Sequence, residues 1–147
     1  MATPRACGIG ALAARSTDSQ LASALRPLSY AEPDGSRGIE LSIDPAQFRT
    51  VFAADLPTAQ TRLLAAEQRP VDAAAFSATA TAAAWRTIPT WSLIARQDRT
   101  LGADLERFEA QRASAHTIEI NNSHAAMISH PAAVTGLILS AARSTHY

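Results

Sequence analysis

The pattern of hydrophobic positions is clearest in the last third of the chain, where short apolar segments alternate with helical patterns. Residues 90–95 are almost continuously apolar and follow Pro89, which is typical of a strand covered on both faces. Residues 116–120 alternate apolar and polar positions, as expected of a strand nearer a sheet edge. Between them, residues 102–112 repeat apolar side chains at helical spacing, which predicts a crossover helix with its charges outward. The pattern therefore predicts two parallel strands.

A last helix is predicted from His130 and Pro131 onwards, because proline is favoured in a first helical turn. Four apolar side chains in this segment fall at helical spacing and predict one buried stripe. They are Val134, Leu137, Ile138 and Ala141.

The first part of the chain gives weaker signals. Residues 1–38 contain many glycines and prolines and are predicted to be a mostly irregular lead-in with a short helix around residues 19–25. Residues 38–43 alternate in polarity, which predicts a half-exposed strand. Asp44 and Pro45 then supply an N-cap and a first-turn proline for a helix.

A second helix is predicted between Pro57 and the Arg69-Pro70 pair, because proline ends a helix at the preceding residue. Residues 71–76 are expected to form one more helical turn, and the alanine-rich residues 77–84 a connector.

Two residues suited to acid–base chemistry follow the two predicted parallel strands. Asp98 lies just beyond the first strand and His124 just beyond the second. Functional groups in such sheets collect at the carboxyl ends of the strands, so both residues are expected on the same rim. Other interpretations remain open, since an aspartate in this position also caps loops and a loop histidine is often only solvent-exposed.

Composition excludes several classes of function. The 13 basic and 13 acidic residues balance, so no strong field attracts nucleic acid. All basic residues are arginines, which removes lysine Schiff-base chemistry and the P-loop lysine. The lone Cys7 excludes a disulfide framework. The remaining histidines, His116, His130 and His146, are not spaced as metal ligands, so neither a metal nor another cofactor is predicted.

The sequence predicts a soluble, cytoplasmic protein that does not bind a membrane. No apolar run approaches the roughly 18 residues that a transmembrane helix needs. The first residues, with Pro4 and two early glycines, make a poor signal-peptide core.

Three further side chains are predicted to be structural. Ser123 precedes His124 directly; because adjacent loop residues point apart, it is interpreted as a loop hydrogen-bonding residue and not as a nucleophile. Trp85 and Trp91 are interpreted as core or lid packing.

Several short segments, in order along the chain, resemble the α/β-hydrolase family, in particular bacterial esterase-like members related to plant methylesterases and hydroxynitrile lyases. The segments are Phe52-Ala-Ala-Asp-Leu-Pro57, Gln68-Arg-Pro70, Trp85-Arg-Thr-Ile-Pro-Thr-Trp91, Gln97-Asp-Arg99 and Ser123-His-Ala-Ala-Met-Ile-Ser-His-Pro131.

The resemblance implies an α/β protein with part of the α/β-hydrolase fold: a helical lid plus the last two parallel strands and their flanking helices. Residues 1–38 would be the lead-in, residues 39–84 the lid-like segment with its connector, and residues 85–147 the C-terminal part of the core. By the same resemblance, Asp98 would be the acid that orients the imidazole and His124 the general base of a catalytic triad.

The chain departs from the family pattern at the nucleophile. It contains no Gly-x-Ser-x-Gly turn, and its nearest approach, Gly35-Ser-Arg-Gly38, has the wrong spacing. The family's early strands also have no counterpart. The first residues, up to about Ser16, do not match the family segment expected there, which suggests a truncated or rearranged gene product. We therefore expect no useful esterase activity from the chain alone, and a small carboxylic ester as substrate if a nucleophile-bearing half completes it.

A second hypothesis is a non-catalytic interaction module. With one neighbour missing, strand 90–95 would expose backbone N–H and C=O groups along one edge. Such an edge favours pairing with another chain, including a second copy of this one.

Overall fold

A computed structural model describes residues 8–80 and 82–144 of the chain. Its helices and strands, in chain order, are α1 (Ile9–Ala13), α2 (Leu21–Ala24), β1 (Leu25–Ala31), β2 (Arg37–Ile43), α3 (Pro45–Phe52), α4 (Thr58–Glu67), β3 (Val71–Asp72), β4 (Trp91–Ala95), α5 (Ala103–Arg112), β5 (His116–Ile120), α6 (Ala126–Ser129) and α7 (Pro131–Ser144). Two 3-10 turns cover Ala73–Phe76 and Ala84–Arg86. Within these ranges, every helix is too short or too polar to cross a bilayer.

The C-terminal unit is a parallel pair of strands joined by a crossover helix, as predicted. β4 pairs with β5 from Trp91 opposite His116 to Ala95 opposite Ile120. α5 packs on β4 and buries its small side chains Ala103 and Ala110. It begins after Gly102, whose φ of +94° favours glycine, and a Cβ there would lie 2.1 Å from Ser16 Oγ. This tight turn sets where α5 starts relative to the end of β4.

An antiparallel sheet in the order β1-β2-β3 and the helices α3 and α4 form one unit. This unit contains most of the segment predicted to be lid-like, residues 39–84, and also β1, and it is named the lid after that prediction. The predicted N-cap is confirmed, since the Asp44 side chain accepts the Ala46 N–H at 2.9 Å. The side-chain amide of Gln68 pairs with the backbone of Ile43 in both directions, at 2.9 and 2.7 Å. These bonds tie the end of α4 to the end of β2.

The irregular character predicted for residues 1–38 is wrong at residues 25–31, which form β1. The sequence pattern did not predict this strand for two physical reasons. Most of its side chains are exposed, so it carries no apolar alternation. It also contains Pro27, which is tolerated because β1 is an edge strand and needs fewer backbone donors. The short helix expected nearby is α2. Likewise, the first two residues of the predicted turn at 71–76 pair with β2 as β3.

The main hydrophobic cluster joins the lid to the segment after β5. Phe48, Ala53, Leu56 and Ala65 come from the lid, and Ala125 comes from the loop that follows β5. The Ala125 N–H also donates to the Phe52 carbonyl at 3.2 Å. Burying a side chain of the size of Phe48 stabilises the fold by about 1.5–3 kcal/mol, so this cluster fixes the lid against the rim of the sheet.

The apolar stripe predicted on α7 is only partly correct. Val134, Leu137 and Ala141 are half-buried, but Ile138 is 61% exposed. Helical spacing identified the apolar face, but no side chain of α7 is fully buried, and the described residues leave Ile138 uncovered.

Residues 17–20 of the lead-in form hydrogen bonds with the loop that follows β4 and with the start of α5. The Ser19 hydroxyl donates to the Thr100 carbonyl at 2.6 Å, and the Gln20 N–H donates to the Arg99 carbonyl at 2.7 Å. Asp104, in the first turn of α5, accepts the Thr17 N–H at 2.8 Å. The loop between β4 and α5 is therefore anchored at both ends.

Candidate active site

Asp98 and His124 meet at the carboxyl-terminal rim of the parallel strand pair. The pairing of β4 and β5 continues past the strands: the Arg96 N–H donates to the Ile120 carbonyl at 2.9 Å, and the Gln97 N–H donates to the Asn122 carbonyl at 3.0 Å. The two loops therefore leave the sheet side by side, which brings Asp98 and His124 together.

The two side chains form a close hydrogen-bonded pair. His124 Nδ1 lies 2.8 Å from Asp98 Oδ2, and the Asp98 side chain is fully buried. An ionised carboxylate only accepts hydrogen bonds, so Nδ1 carries the proton and donates it to Asp98. The other carboxylate oxygen accepts the N–H groups of Thr100 and Leu101, at 2.6 and 3.3 Å. Asp98 is thus oriented by three donors.

The protonation of Asp98 reflects two opposing effects. Burial raises its pKa, because it disfavours the charged form. The hydrogen bond and positive charge of His124, with hydrogen bonds from Glu106 and Thr100, outweigh burial and lower the pKa of Asp98 below its usual range. Asp98 is therefore ionised at neutral pH and faces the imidazole as an anion.

The other face of the imidazole is partly open. The His124 side chain is 26% exposed, and its ring lies 5.0 Å from the Phe52 ring of the lid, centroid to centroid. Among the described residues no group hydrogen-bonds Nε2. With Nδ1 committed to Asp98, Nε2 is the nitrogen that can exchange a proton with a reacting group.

Ser123 is turned away from this pair, as predicted. Its hydroxyl donates a short hydrogen bond to Asp55 of the lid. Burial raises the pKa of Asp55, but the hydroxyls of Ser123 and Ser129 more than offset this and hold the pKa below its usual range. The Ser123 hydroxyl therefore donates to a carboxylate and not to an imidazole.

The remaining histidines lie elsewhere. His116 is exposed and stacks on Trp91, with ring centroids 4.9 Å apart. His130 lies directly before α7, with Nδ1 3.8 Å from Asp55 Oδ2. His146 and Cys7 fall outside the described residues. Trp85 is half-buried and is flanked by the guanidinium groups of Arg86 and Arg112, so it is not part of the buried core.

One residue at the rim was missed by the sequence analysis. Glu106, on α5, was expected to point outward with the other charges, but its carboxyl accepts the Ala95 N–H at 2.7 Å. One carboxylate oxygen each of Glu106 and Asp98 and one nitrogen of His124 lie within 4.8 Å of one another. A signal was present, because Glu106 falls at helical spacing between the small residues Ala103 and Ala110 that α5 buries.

These three side chains are of the types that bind divalent metals. However, Asp98 and His124 direct facing atoms at each other at 2.8 Å. A metal bound by those atoms would have to break this hydrogen bond, so the arrangement observed is that of an acid–base pair.

Two cavities flank the site. One, of about 480 Å³, is lined mainly by apolar side chains of the lid, including Leu41, Phe48, Phe52 and Leu64. Phe52 lines this cavity and also contacts the His124 ring. The second, of about 680 Å³, is polar and is lined by Asp98 and by three arginines, which are Arg49, Arg96 and Arg99.

Comparison with known proteins gives one family and one fold. A model of the alpha/beta hydrolase family matches residues 3–137. The crystal structure of polyneuridine aldehyde esterase is similar, with a TM-score of 0.66, 14% sequence identity, and coverage of 79% of this chain and 48% of that chain. A crystal structure of a mutant of polyneuridine aldehyde esterase gives a TM-score of 0.64 at 13% identity, with the same coverage.

At this level of identity the similarity to the solved structures concerns the fold. The chain spans about half the length of both structures. No curated protein matches the sequence.

Proposed function

This chain belongs to the α/β-hydrolase family, and we propose that Asp98 and His124 are the acid and the general base of a carboxylic ester hydrolase whose nucleophile comes from another polypeptide segment. The observation that carries the proposal is the 2.8 Å bond between His124 Nδ1 and the buried Asp98. Asp98 fixes the tautomer and the orientation of the imidazole and stabilises the imidazolium when it forms.

In the proposed reaction, His124 Nε2 accepts the proton of a serine hydroxyl as the oxygen attacks the ester carbonyl. The imidazolium is then stabilised by Asp98, and it returns the proton to the alcohol that leaves. Water replaces the alcohol, and the same nitrogen activates it to release the acid. Each step uses the nitrogen that faces away from Asp98.

The chain alone is proposed to be inactive. It has no Gly-x-Ser-x-Gly turn, and the serine next to His124 is bound to Asp55. Loss of one member of a triad lowers the rate by roughly 10⁴ to 10⁶-fold. The acid and base therefore need a serine placed within hydrogen-bonding distance of Nε2.

The substrate is proposed to be a small ester with an apolar group. The 480 Å³ cavity is apolar and lies within the usual size of small-molecule sites. Phe52 lines this cavity, and its ring lies 5.0 Å from the His124 ring, centroid to centroid. The apolar part of the ester would lie under the lid, and the ester carbonyl would lie near His124.

A fluorophosphonate probe, which labels activated serines, tests the inactivity of the chain alone. We expect intact mass measurement to show no labelled serine in the purified chain. We also expect the chain to hydrolyse p-nitrophenyl acetate no faster than its Asp98→Ala and His124→Ala variants do. A labelled serine, located by peptide mass spectrometry, would contradict the proposal and identify an unrecognised nucleophile.

Complementation tests the catalytic roles directly. The DNA upstream of Met1 is sequenced, and any segment with a Gly-x-Ser-x-Gly turn is produced together with this chain. We expect ester hydrolysis to appear in the combination and to fall by about 10⁴-fold in Asp98→Asn and more in His124→Ala. Hydrolysis that survives both substitutions would exclude these residues as the acid and base.

The second candidate is a non-catalytic interaction module that pairs through the free edge of β4. No strand within residues 8–80 and 82–144 pairs with that edge. Apolar side chains also remain exposed on the covering helix α7, with Ile138 at 61% and Leu139 at 47%. Sedimentation velocity over a range of concentrations decides this, because a chain that stays monomeric at high concentration would count against edge pairing.

A cytoplasmic location stays a prediction from the sequence, and cell fractionation with an antibody to the chain checks it.

A further inference from the structure

Glu106 occupies the edge of β4 that faces away from β5. The Arg96 N–H donates to Ile120 of β5, and successive N–H groups of a strand point to opposite sides. The Ala95 N–H therefore points to the outer edge, where it donates to Glu106 Oε2 at 2.7 Å. The Glu106 carboxyl takes the position that the carbonyl group of a neighbouring strand would fill.

The same carboxyl group lies beside Asp98. A carboxylate oxygen of Glu106 is within 4.8 Å of one of Asp98, at a place where Asp98 is fully buried and Glu106 is partly buried. Two carboxylates this close in a poorly solvated site do not both ionise at neutral pH, and they titrate as a pair. One proton is therefore shared between them.

The surroundings place that proton on Glu106. Asp98 faces the imidazole and accepts two backbone N–H groups, all of which favour its anion. Burial, followed by the Asp98 hydrogen bond and charge and the charge of Glu109, raises the pKa of Glu106 to about 8. The Ala95 N–H and the positive charge of Arg107 act in the opposite direction.

We propose that Glu106 is a positioning residue: its neutral carboxyl group, held by the Ala95 amide, donates a hydrogen bond to Asp98 and keeps Asp98 oriented towards His124. The catalytic meaning of this arrangement rests on the proposed function. The series of hydrogen bonds from Ala95 through Glu106 and Asp98 to His124 does not depend on the proposed function. It can be measured in this protein without a nucleophile-bearing partner.

The test compares Glu106→Gln with Glu106→Ala. Glutamine has the same shape, and it can accept from Ala95 through its oxygen and donate to Asp98 through its NH₂ group. Alanine can do neither. Glu109→Gln is the matched control, because it removes a negative charge from the same helix three residues away without touching the Ala95 amide.

Two NMR signals are followed in each variant: the Nδ1–H proton of His124 and the exchange rate of the Ala95 amide. In Glu106→Gln and Glu109→Gln we expect a His124 signal like that of the parent chain. In Glu106→Ala we expect the Nδ1–H proton of His124 to exchange with water at least about tenfold faster than in the parent chain, because one of the hydrogen bonds that orient Asp98 is lost. The Ala95 amide should exchange faster only in Glu106→Ala.

Two outcomes would overturn the proposal. If Glu106→Gln loses the His124 signal as Glu106→Ala does, a neutral donor at this position is not sufficient. If Glu106→Ala exposes the Ala95 amide but leaves His124 unchanged, Glu106 only caps the strand edge.

A measurement on the unaltered chain keeps the proposal testable if Glu106→Ala does not fold. The ¹³C signal of the Glu106 carboxyl should titrate with a midpoint near the pKa of about 8. A midpoint in the ordinary range of glutamate would overturn the proposal. Failure of the complementation experiment would leave all of these signals unchanged, so the two proposals fail independently.

Discussion

The described part of the chain contains two aspartate–histidine pairs, and they differ in almost every respect that matters for catalysis. At the rim, Asp98 is fully buried and lies 2.8 Å from His124. At the junction of lid and core, Asp55 lies 3.8 Å from His130, whose side chain is 43% exposed. The first distance is that of a strong hydrogen bond, and the second is too long for one.

Two serines lie beside the second pair, but neither is placed as in a triad. The hydroxyls of Ser123 and Ser129 both act on Asp55. The Ser129 hydroxyl lies 3.0 Å from His130 Nδ1, the nitrogen that faces Asp55. Ser123 donates its proton to the carboxylate of Asp55 and not to an imidazole. A serine bound in this way stabilises the aspartate anion and is not activated. A serine, an acid and a histidine in one neighbourhood therefore form a triad only if the imidazole faces the serine with one nitrogen and the acid with the other.

The largest expected contrast is in stability. Asp98→Ala should lower the free energy of unfolding by about 3 kcal/mol, because it leaves the Thr100 and Leu101 N–H groups and the imidazole without an acceptor in a buried place. Asp55→Ala should lower it by less, about 1–2 kcal/mol, because the Asp55 side chain is 17% exposed and its partners are neutral hydroxyl groups, of which that of Ser123 is buried. Urea unfolding of both variants measures the difference, and equal losses would remove the distinction between the pairs.

The next contrast is in pH dependence, because the rim contains a carboxyl group with a raised pKa and Asp55 at the other pair has a lowered one. The folded-state pKa of Glu106 is raised to about 8 from an ordinary 4.5, so the folded chain binds this proton more tightly than the unfolded chain does. The stabilisation is complete below about pH 4.5 and is lost as the pH rises through 8, by roughly 2 kcal/mol after allowance for solvent.

Urea midpoints measured from pH 5 to pH 9 check this, with Glu106→Gln as the control. The variant has no proton to lose at this position, so its stability should change less over the range. Parallel curves for the two proteins would mean that Glu106 is ionised throughout.

A smaller effect is expected at the lid junction. Ser123→Ala removes one hydrogen bond to Asp55 and should lower the free energy of unfolding by about 1 kcal/mol. The Nδ1–H signal of His124 should stay in place, since Ser123 does not touch the imidazole. Loss of that signal would show that the two aspartate–histidine pairs depend on each other.

The smallest effect should come from His130. Its distance to Asp55 and its exposure are those of a surface pair, so His130→Gln should change the free energy of unfolding by about 0.5 kcal/mol or less. Thermal unfolding of His130→Gln, compared with that of Ser123→Ala, measures this loss of stability. A loss above that of Ser123→Ala would mean that the second pair is stronger in solution than its geometry indicates.

The amino-acid sequence alone determined the elements whose signals are local. β4, α5 and β5 follow from apolar runs and helical spacing, and α3 follows from the Asp44-Pro45 start. The shared rim of Asp98 and His124 also follows, because parallel strands end on the same side of a sheet. These features depend on a few neighbouring residues, and therefore a single sequence was sufficient to predict them.

Only the tertiary structure decided the features that depend on partners in other elements. β1 forms because β2 supplies its hydrogen bonds, although its own side chains are mostly exposed. Ile138 stays exposed because no described element covers that side of α7. Glu106 turns inward because the Ala95 amide at a free strand edge needs an acceptor. In each case the deciding partner belongs to another element. The apolar and polar pattern of β1 and of α7 does not record it, and for Glu106 the helical spacing between Ala103 and Ala110 indicates only that this side of α5 is buried.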